Sequence, residues 1–436
     1  MCHVGGNWNN GANAGLFNFN SNNDSTNSNT NIGCRLLFAR CTFAVKRPSP
    51  HHLVKIFCVV VRLSRPQGSK RRKAKKEMTM KRIGNIYEKM LDPLFIEFAI
   101  RAASEGKRKR LVVKRVMDDI DGHVQKIKEM LQAQSFKPSP YHVFERYDHL
   151  NKKYRKIQRP KFFPDQIIHW LVVLAIKPAL TRGMYFWNCG SIPNRGIKHG
   201  FKAVRTWLNT DKKNTRYTLK LDIRKYYDSV PHDKLMAFMR RKIKDEKMLA
   251  LIEQIVNTTD VGIPIGNYTS QWFANVYLEG LDHYIKEKLG VKYYVRYIDD
   301  MILFGVNKKE LHKVRLRIAE FLRRELGLEL KANWQVYKTE PRGVDFLGYV
   351  FRRTHTALRA RNFLSFVRQC GKVRRMIASK AAIPFRVAAG LISRLGQLSH
   401  CNSFLITKKY LTGIKLKTLK KVVRNESKSK LQPAVA

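Results

Sequence analysis

The chain has 436 residues and carries 85 Lys and Arg side chains against 33 Asp and Glu, a formal net charge of +52. Its hydrophobic fraction of 44% and aromatic fraction of 11% exclude a wholly disordered protein. So large a positive excess is more than a soluble protein with an acidic or neutral partner requires. It favours a polyanion, because phosphate backbones reward clustered Lys and Arg through counterion release.

Cysteine usage and apolar runs bear on the cellular compartment. The seven cysteines include no Cys-x-x-Cys pair, a pattern typical of reduced thiols in the cytosol. The longest apolar run, residues 56–61, is far too short to span a bilayer. It also lies too far along the chain to be a signal peptide. The sequence therefore predicts a cytoplasmic protein with no membrane partner.

The first 77 residues differ in composition from the rest. Residues 7–31 contain eleven asparagines, and residues 40–76 hold three prolines and the basic run 70–76. These features predict a disordered Asn-rich head followed by a basic linker. From residue 78 onward 72 basic and 31 acidic residues remain, so the positive charge belongs mainly to the part with a globular pattern.

Helices are predicted at the start of the globular part. Apolar residues at spacings of three and four predict a first helix over 83–103, interrupted at Pro93, and a second over 110–135. Pro138 ends the second helix.

Strands and helices then alternate. The predicted elements are a strand at the start of 217–231, helices over 232–256 and 269–289, a strand–turn–strand over 292–304, a helix over 311–326, a strand over 344–351 and helices over 361–422. This order predicts an α+β fold with an antiparallel sheet of the split βαβ type and helices on one of its faces.

Two adjacent acidic residues, Asp299 and Asp300, lie at the tip of an apolar strand–turn–strand. An Asp-Asp pair is most often an exposed turn, but here apolar strands flank it, and like charges so close repel unless a cation lies between them. Asp222 ends a different strand. If the two strands are neighbours in one sheet, three carboxylates converge and can hold two Mg²⁺ ions, as nucleotidyl transfer requires.

Four segments resemble motifs of the reverse transcriptases and follow one another in the order typical of that family. In chain order they are Leu221-Asp-Ile-Arg-Lys-Tyr-Tyr-Asp228, the loop Gly262-Ile-Pro-Ile-Gly-Asn-Tyr-Thr-Ser-Gln271, Tyr297-Ile-Asp-Asp300 and Phe346-Leu-Gly-Tyr349. The resemblance covers about residues 80–410. The loop has Ile265 where most relatives have Gln and ends Ser270-Gln271, a variant that marks the reverse transcriptases of diversity-generating retroelements.

The resemblance implies a right-hand polymerase of fingers, palm and helical thumb. It assigns N-terminal helices and fingers to 78–216, the palm to 217–354, and a helical thumb with a basic tail to 355–436. The implied activity is that of an RNA-directed DNA polymerase which copies a template-repeat RNA into adenine-mutagenised cDNA. The implied partners are template RNA, the cDNA/RNA duplex, dNTPs and a small basic accessory protein.

Residue roles follow from the resemblance, motif by motif. Asp222, Asp299 and Asp300 match the catalytic metal ligands, and Ile223 falls in the same metal site. The implied nucleotide-binding residues are Arg155, Tyr227, Ile265, Gly266 and Gln271; the implied primer grip is Phe346, Leu347, Gly348 and Tyr349. Tyr227 would lie under the sugar of the nucleotide and disfavour a 2′-OH. Arg155 would contact the triphosphate, although a general RNA contact fits it equally well.

The chain also departs from the family pattern. Where the family often has Asp-Arg in the fingers, this chain has Asp165-Gln166, so any role of that arginine is lost or moved. Two lysines, Lys331 and Lys338, are candidates for the residue that protonates pyrophosphate. No His/Cys metal spacing follows residue 360, so the appended endonuclease of some intron relatives is not expected.

The Asn-rich head invites a separate hypothesis. Residues 5–10 and 29–38 resemble the end of a lectin-like variable protein of these retroelements, so the head resembles a translated template repeat. On this hypothesis residues 1–77 are non-native translation and dispensable. A polar low-complexity tail is the alternative.

Two other functions stay open. The chain can be a group II intron-like or phage-defence reverse transcriptase, against which the Ser270-Gln271 loop argues. It can also be a catalytically silent basic scaffold that binds RNA, against which the three retained carboxylates argue.

Overall fold

The computed structural model describes residues 81–148 and 153–429, together with two short paired strands, β1 (His3–Val4) and β2 (Phe19–Asn20). The hypotheses on the Asn-rich head and the basic linker otherwise lie outside the described residues. None of the described helices is long and apolar enough to cross a membrane.

Helices dominate both ends of the described chain. They are α1 (Pro93–Ser104), α2 (Leu111–Asp118), α3 (Ile120–Gln132), α4 (Ile167–Thr181), α5 (Ile197–Thr210), α6 (His232–Lys242), α7 (Glu246–Val256), α8 (Tyr268–Tyr277), α9 (Glu279–His283), α10 (Lys308–Leu326), α11 (Thr339–Arg342), α12 (Ala360–Ala378), α13 (Phe385–Leu398), α14 (Phe404–Leu411) and α15 (Leu416–Ser429).

The strands form three sheets between these helices. They are β3 (His142–Asp148), β4 (Lys153–Arg159), β5 (Tyr217–Leu221), β6 (Tyr293–Tyr297), β7 (Asp300–Gly305), β8 (Gln335–Lys338), β9 (Val344–Phe346), β10 (Tyr349–Phe351) and β11 (Thr356–Leu358). The predicted α+β class is confirmed.

The central sheet has four antiparallel strands in the order β6-β7-β5-β8. Both of its faces are covered, because alternate residues of a strand point to opposite sides. On β7, Met301 and Leu303 join the core formed with the palm helices, whereas Ile302 and Phe304 join a second core shared with α5 and the C-terminal helices. We call it the palm sheet, because it lies within residues 217–354, the range predicted as the palm.

The fourth strand of the palm sheet was predicted wrongly. Residues 344–351 were expected to supply it, but β8 does, by pairing with β5. Residues 344–351 instead break at Leu347-Gly348 into β9 and β10, which pair with each other and with β11 in a separate sheet. Leu347 and Gly348 have φ of 53° and 88°, a left-handed turn that a continuous strand cannot contain.

One β-bridge explains two further wrong predictions. The helix expected over 232–256 ends at Lys242 and restarts at Glu246, and the helix expected from residue 83 begins with a 3-10 turn at Glu88–Leu91, followed by α1 from Pro93. Between α6 and α7, Ile243 forms a parallel bridge with Ile83, which donates to Lys242 O and accepts from Lys244 N–H, each at 2.9 Å. Each segment is extended because it pairs with the other.

The helix expected over 110–135 is also divided in two. Asp119 separates α2 from α3 with φ −130° and ψ 66°, and its side chain accepts a hydrogen bond from Gly122 N–H. A side-chain cap of this kind satisfies an N–H group that the first helical turn leaves unpaired.

A fingers hairpin precedes α4 and was not predicted as strands. β3 and β4 pair antiparallel in full register from His142 with Arg159 to Asp148 with Lys153. The hairpin joins the palm at Gln158, whose N–H donates to Ile265 O at 2.9 Å. Beside that bond Gly266 has φ 145°, and a Cβ on it would collide with Gln158 O, so this crossing requires glycine.

Candidate active site

Asp222, Asp299 and Asp300 meet at one end of the palm sheet, as predicted from their strands being neighbours. Asp222 follows β5, Asp300 begins β7, and the last residue of β5, Leu221, lies opposite Met301. Asp299 lies in the two-residue turn between β6 and β7. Pairing of β5 with β7 therefore brings together side chains that are almost 80 positions apart in sequence.

The surroundings of these three carboxyl groups disfavour negative charge. Burial, and after it the neighbouring Asp222 carboxylate, raises the pKa of Asp299 to about 6. Burial raises the pKa of Asp300 to about 7, against the opposing charge of Lys220, with Asp222 and Asp299 adding to the rise. Asp300 Oδ1 is buried and has no hydrogen-bond partner. Such an oxygen is costly to leave unpaired and suits a divalent cation.

The carboxylates are not pre-assembled around an ion position. Among residues 81–148 and 153–429 there is no group of three or more His, Cys, Asp or Glu side chains already spaced to hold a metal. Lys331 Nζ lies 3.0 Å from Asp222 Oδ2 and neutralises part of the charge. Ile223 is buried, pairs with Leu330 in an isolated bridge, and offers only main-chain atoms to a ligand.

A strained turn holds the two adjacent carboxylates. Ile298 has φ 57°, a left-handed conformation that is rare and costly for a β-branched residue. Its carbonyl accepts a hydrogen bond from Arg296 Nη1 at 2.8 Å. Gly190 packs on the other side, where a Cβ would come within 2.7 Å of Ile298 N. The turn is thus held from two sides.

Arg296 is itself held by a buried ion pair that the sequence did not reveal. Its Nε donates to Asp282 Oδ1 at 2.7 Å and its Nη2 to Asp282 Oδ2 at 2.5 Å, and both side chains are fully buried. Asp282 also accepts from Tyr294 O–H at 2.8 Å. The main chain of Arg296 bonds Trp187 and Cys189, so β6 and the segment 187–190 are joined at the same point.

All five residues expected to bind the nucleotide line one cavity of about 360 Å³; they are Arg155, Tyr227, Ile265, Gly266 and Gln271. Trp170 and Tyr268 stack in its wall with ring centres 4.0 Å apart. The cavity lies near the carboxylates, because Tyr227 in its wall is only five residues after Asp222. Burial, and after it the charge of Asp299, raises the pKa of Tyr227. Lys107 and Gln166 also line it and were not predicted as nucleotide-binding residues.

The expected primer grip is the turn between β9 and β10, and three hydrogen bonds attach it to the palm sheet and to the C-terminal helices. Lys220 of β5 donates to Asp345 O at 2.7 Å, and Arg359 Nε donates to Asp345 Oδ1 at 2.5 Å. Tyr349 O–H donates to Gln397 O of α13 at 2.9 Å. Phe346 is fully buried and anchors the turn in the second core.

Tyr349 also lines a larger cavity of about 950 Å³, together with Gln271 and Tyr297 of the palm and Gln397 of α13. This cavity therefore extends from the end of β6 to the β9–β10 turn and α13.

The two candidate lysines occupy different places. Lys331 contacts Asp222 through its side chain, and its N–H donates to Asp222 O at 2.9 Å. Lys338 lies on β8 opposite Tyr217, at the far end of β5 from Asp222. Only Lys331 is within reach of the site.

A four-stranded sheet with three carboxylates at one end, near a cavity of about 360 Å³, is typical of nucleotidyl-transferring polymerases. Residues 146–351 match the family model described as "Reverse transcriptase (RNA-dependent DNA polymerase)". This segment is therefore similar to reverse transcriptases, and the chain is also similar to a retron reverse transcriptase and to a group II intron-encoded protein.

Two curated relatives show the extent of this similarity. The chain is 29% identical over 160 residues to the Retron Ec73 reverse transcriptase of Escherichia coli, covering 34% of this chain and 48% of that one. It is 27% identical over 196 residues to the group II intron-encoded protein LtrA of Lactococcus lactis, covering 39% and 30%. The chain spans between 13% and 48% of the length of the curated relatives it matches.

Among solved structures, telomerase from Candida albicans with a fragment of telomeric RNA resembles this chain with a TM-score of 0.42 at 12% identity. That likeness covers 67% of this chain and 58% of the telomerase.

Proposed function

We propose that the protein is an RNA-directed DNA polymerase that extends a primer with dNTPs along template RNA. The observation that carries the proposal is the adjacency of three carboxylates to a cavity lined by the five nucleotide-binding candidates. Neither feature alone points to polymerisation. Together they support the proposal, because a sheet end that can hold cations lies beside a cavity that suits one nucleotide.

Asp222, Asp299 and Asp300 would hold two Mg²⁺ ions. The donor set fits, because Mg²⁺ prefers carboxylate oxygens, and because the buried Asp300 Oδ1 and the mutual repulsion of the carboxylates favour a cation there. When bound, the ions supply stabilisation of the charge on the attacking and leaving oxygens.

The remaining residues position the substrates. The Tyr227 ring, at the wall of the nucleotide cavity, would exclude a 2′-OH and so select dNTPs, and Arg155 would bind the triphosphate. The β9–β10 turn, with Phe346 and Tyr349 fixed in the second core, would hold the primer end. The basic C-terminal helices would bind the duplex through its phosphates, and such binding weakens as salt rises.

The test is an Asp299→Asn variant in a primer-extension assay on template RNA with Mg²⁺. Asn keeps the size of the side chain but removes its charge, so extension should fall by about a thousandfold or more while template binding persists. The exposed Asp260→Asn is the matched control, since it removes the same charge outside the site. Activity of Asp299→Asn within tenfold of wild type would sink the polymerase assignment.

We further propose that the template is a template-repeat RNA of a diversity-generating retroelement and that errors concentrate opposite adenine. The support is the sequence of the loop 262–271, with Ile265 and Ser270-Gln271. Ile265 lines the nucleotide cavity, where it offers no side-chain hydrogen bond to the incoming base or sugar. On this proposal a small basic accessory protein assists the template RNA.

Ile265→Gln tests this finer assignment, because it introduces an amide at the cavity wall. Misincorporation opposite template adenine should fall more than misincorporation opposite the other three bases, measured by sequencing the cDNA products. An exposed position outside the cavity, as in Val261→Gln, serves as control. An unchanged error spectrum would remove Ile265 from the mechanism.

The second candidate is a retron-like or group II intron-like reverse transcriptase. Similarity to the Retron Ec73 reverse transcriptase and to LtrA favours it. The same sequencing experiment separates the two, because a low and even error rate of the wild-type chain at all four template bases would favour this second candidate.

A further inference from the structure

The loop between α1 and α2 carries four consecutive basic residues, 107–110, and one of them differs from the others. Lys107 is partly buried, whereas residues 108–110 are exposed. Its Nζ donates to Gln166 Oε1 at 2.8 Å and lies 5.9 Å from the centre of the Phe162 ring. Two contacts from another element therefore fix the ammonium group in place.

The fixed ammonium group lies in the wall of the nucleotide cavity. Lys107 and Arg155 both line that cavity, and no Asp or Glu is found among the described residues that line it. An ammonium group has three N–H donors, and the bond to Gln166 uses one of them with a neutral acceptor. Burial, and after it the charge of Arg110, lowers the pKa of Lys107. An anion in the cavity would relieve this cost.

The position of Lys107 also accounts for a departure of the sequence from the family pattern. Gln166 stands where related sequences often have Arg, and its Nε2 donates to Pro160 O at 3.0 Å. That bond directs Oε1 toward Lys107. The positive charge absent from position 166 is thus present at the same wall of the cavity, on a loop outside the residues 146–351 that the family model matches.

We propose that Lys107 is a nucleotide-binding residue whose ammonium group contacts the triphosphate of the incoming dNTP. This proposal rests on the proposed polymerase function. Two cations in one small cavity beside the catalytic carboxylates suit a polyphosphate, and the ring of Tyr227 in the same wall suits the sugar that carries it.

The test compares Lys107→Gln with Lys109→Gln, which removes the same charge from an exposed position of the same loop. With poly(rA) template, oligo(dT) primer and dTTP, Lys107→Gln should raise the KM for dTTP by about tenfold or more, the cost of one charge-assisted hydrogen bond. The kcat and the Kd for template–primer should stay within about threefold of wild type. Lys107→Arg, which keeps the charge, should restore most of the loss in KM.

A second measurement is independent of extension. Inorganic tripolyphosphate and dTTP should each raise the melting temperature of the wild-type chain, and the rise should be smaller for Lys107→Gln. If the wild-type chain fails to extend primers, the polymerase proposal fails. The difference in melting-temperature rise between wild type and Lys107→Gln still tests whether Lys107 binds an anion. An unchanged KM with an unchanged melting shift would overturn the role of Lys107. A weakened Kd for template–primer with unchanged KM would overturn it in favour of a template contact.

Discussion

Removing the guanidinium of Arg296 is the perturbation whose consequence the structure defines most sharply. Arg296 and Asp282 are both fully buried and share two hydrogen bonds, of 2.7 and 2.5 Å. Burial acts to lower the pKa of Arg296, but the charge of Asp282 outweighs it and raises that pKa above its ordinary value. Arg296→Met would leave Asp282 charged in an apolar interior with Tyr294 O–H as a donor.

The magnitude follows from the class of interaction. Breaking a buried ion pair by removing one partner costs about 3–5 kcal/mol, because the remaining charge has lost both water and its counter-ion. Arg224 and Glu329 form an exposed pair at 3.1 Å with side chains 64% and 65% exposed, and such pairs contribute at most about 1 kcal/mol. Arg224→Met is therefore the matched control, since it makes the same substitution in an exposed ion pair.

Urea unfolding monitored by circular dichroism measures the difference. Arg296→Met should lower the free energy of unfolding by about 3–5 kcal/mol and Arg224→Met by less than about 1 kcal/mol. The double variant Arg296→Met with Asp282→Leu should recover part of the loss, because it also removes the unpaired charge. Equal losses for the two single variants would refute the reasoning.

Two further variants test the candidate catalytic lysine, Lys331, and the buried histidine, His169. Lys331→Met should lower the rate of primer extension by about a hundredfold, the scale of acid–base catalysis, while Lys338→Met leaves that rate within about threefold of wild type. The side chains of Lys331 and Asp222 are 49% and 30% exposed, so Lys331→Met should lower the free energy of unfolding by less than about 1 kcal/mol. Equal rates for the two variants would exclude Lys331 from the chemistry. Burial lowers the pKa of His169 to about 3, below its value of about 6.5 in an unfolded chain. As pH falls, the unfolded state therefore takes up the proton first, and the free energy of unfolding decreases below about pH 6.5. Between pH 7 and pH 5 wild type should lose about 2 kcal/mol more than His169→Phe in urea unfolding, and equal losses would contradict a neutral buried imidazole.

The sequence correctly predicted those helices and strands that a pattern of neighbouring apolar residues defines. Periodic apolar residues located α10 and the strands on either side of the Asp299-Asp300 turn, and their order indicated the α+β class. It failed where a distant segment decides the local structure. Ile83 and Ile243 each interrupt a helical pattern because they pair with each other across 160 positions, which no window of neighbouring residues can reveal.

In the candidate site, too, the sequence revealed residues with an unusual local pattern and missed those whose role depends on distant segments. Asp222, Asp299 and Asp300 could be predicted because their chemistry is unusual in an apolar strand. Arg296 could not, since a lone arginine in a strand of tyrosines resembles an edge residue exposed to solvent. Lys107 could not be distinguished from the other three basic residues of its loop, because only the position of Gln166 determines which of them points inward.

The packing of β7 explains how a strained turn can carry the catalytic carboxylates. Both faces of this strand are buried, one against each core, so packing fixes the position of the strand independently of the Asp300 side chain. A left-handed Ile298 persists only where the surroundings determine it, and here Arg296 and Gly190 hold it from opposite sides. The packing of the palm sheet therefore offsets the cost of the strain and of the buried carboxyl groups, and it fixes the main chain that carries Asp299 and Asp300.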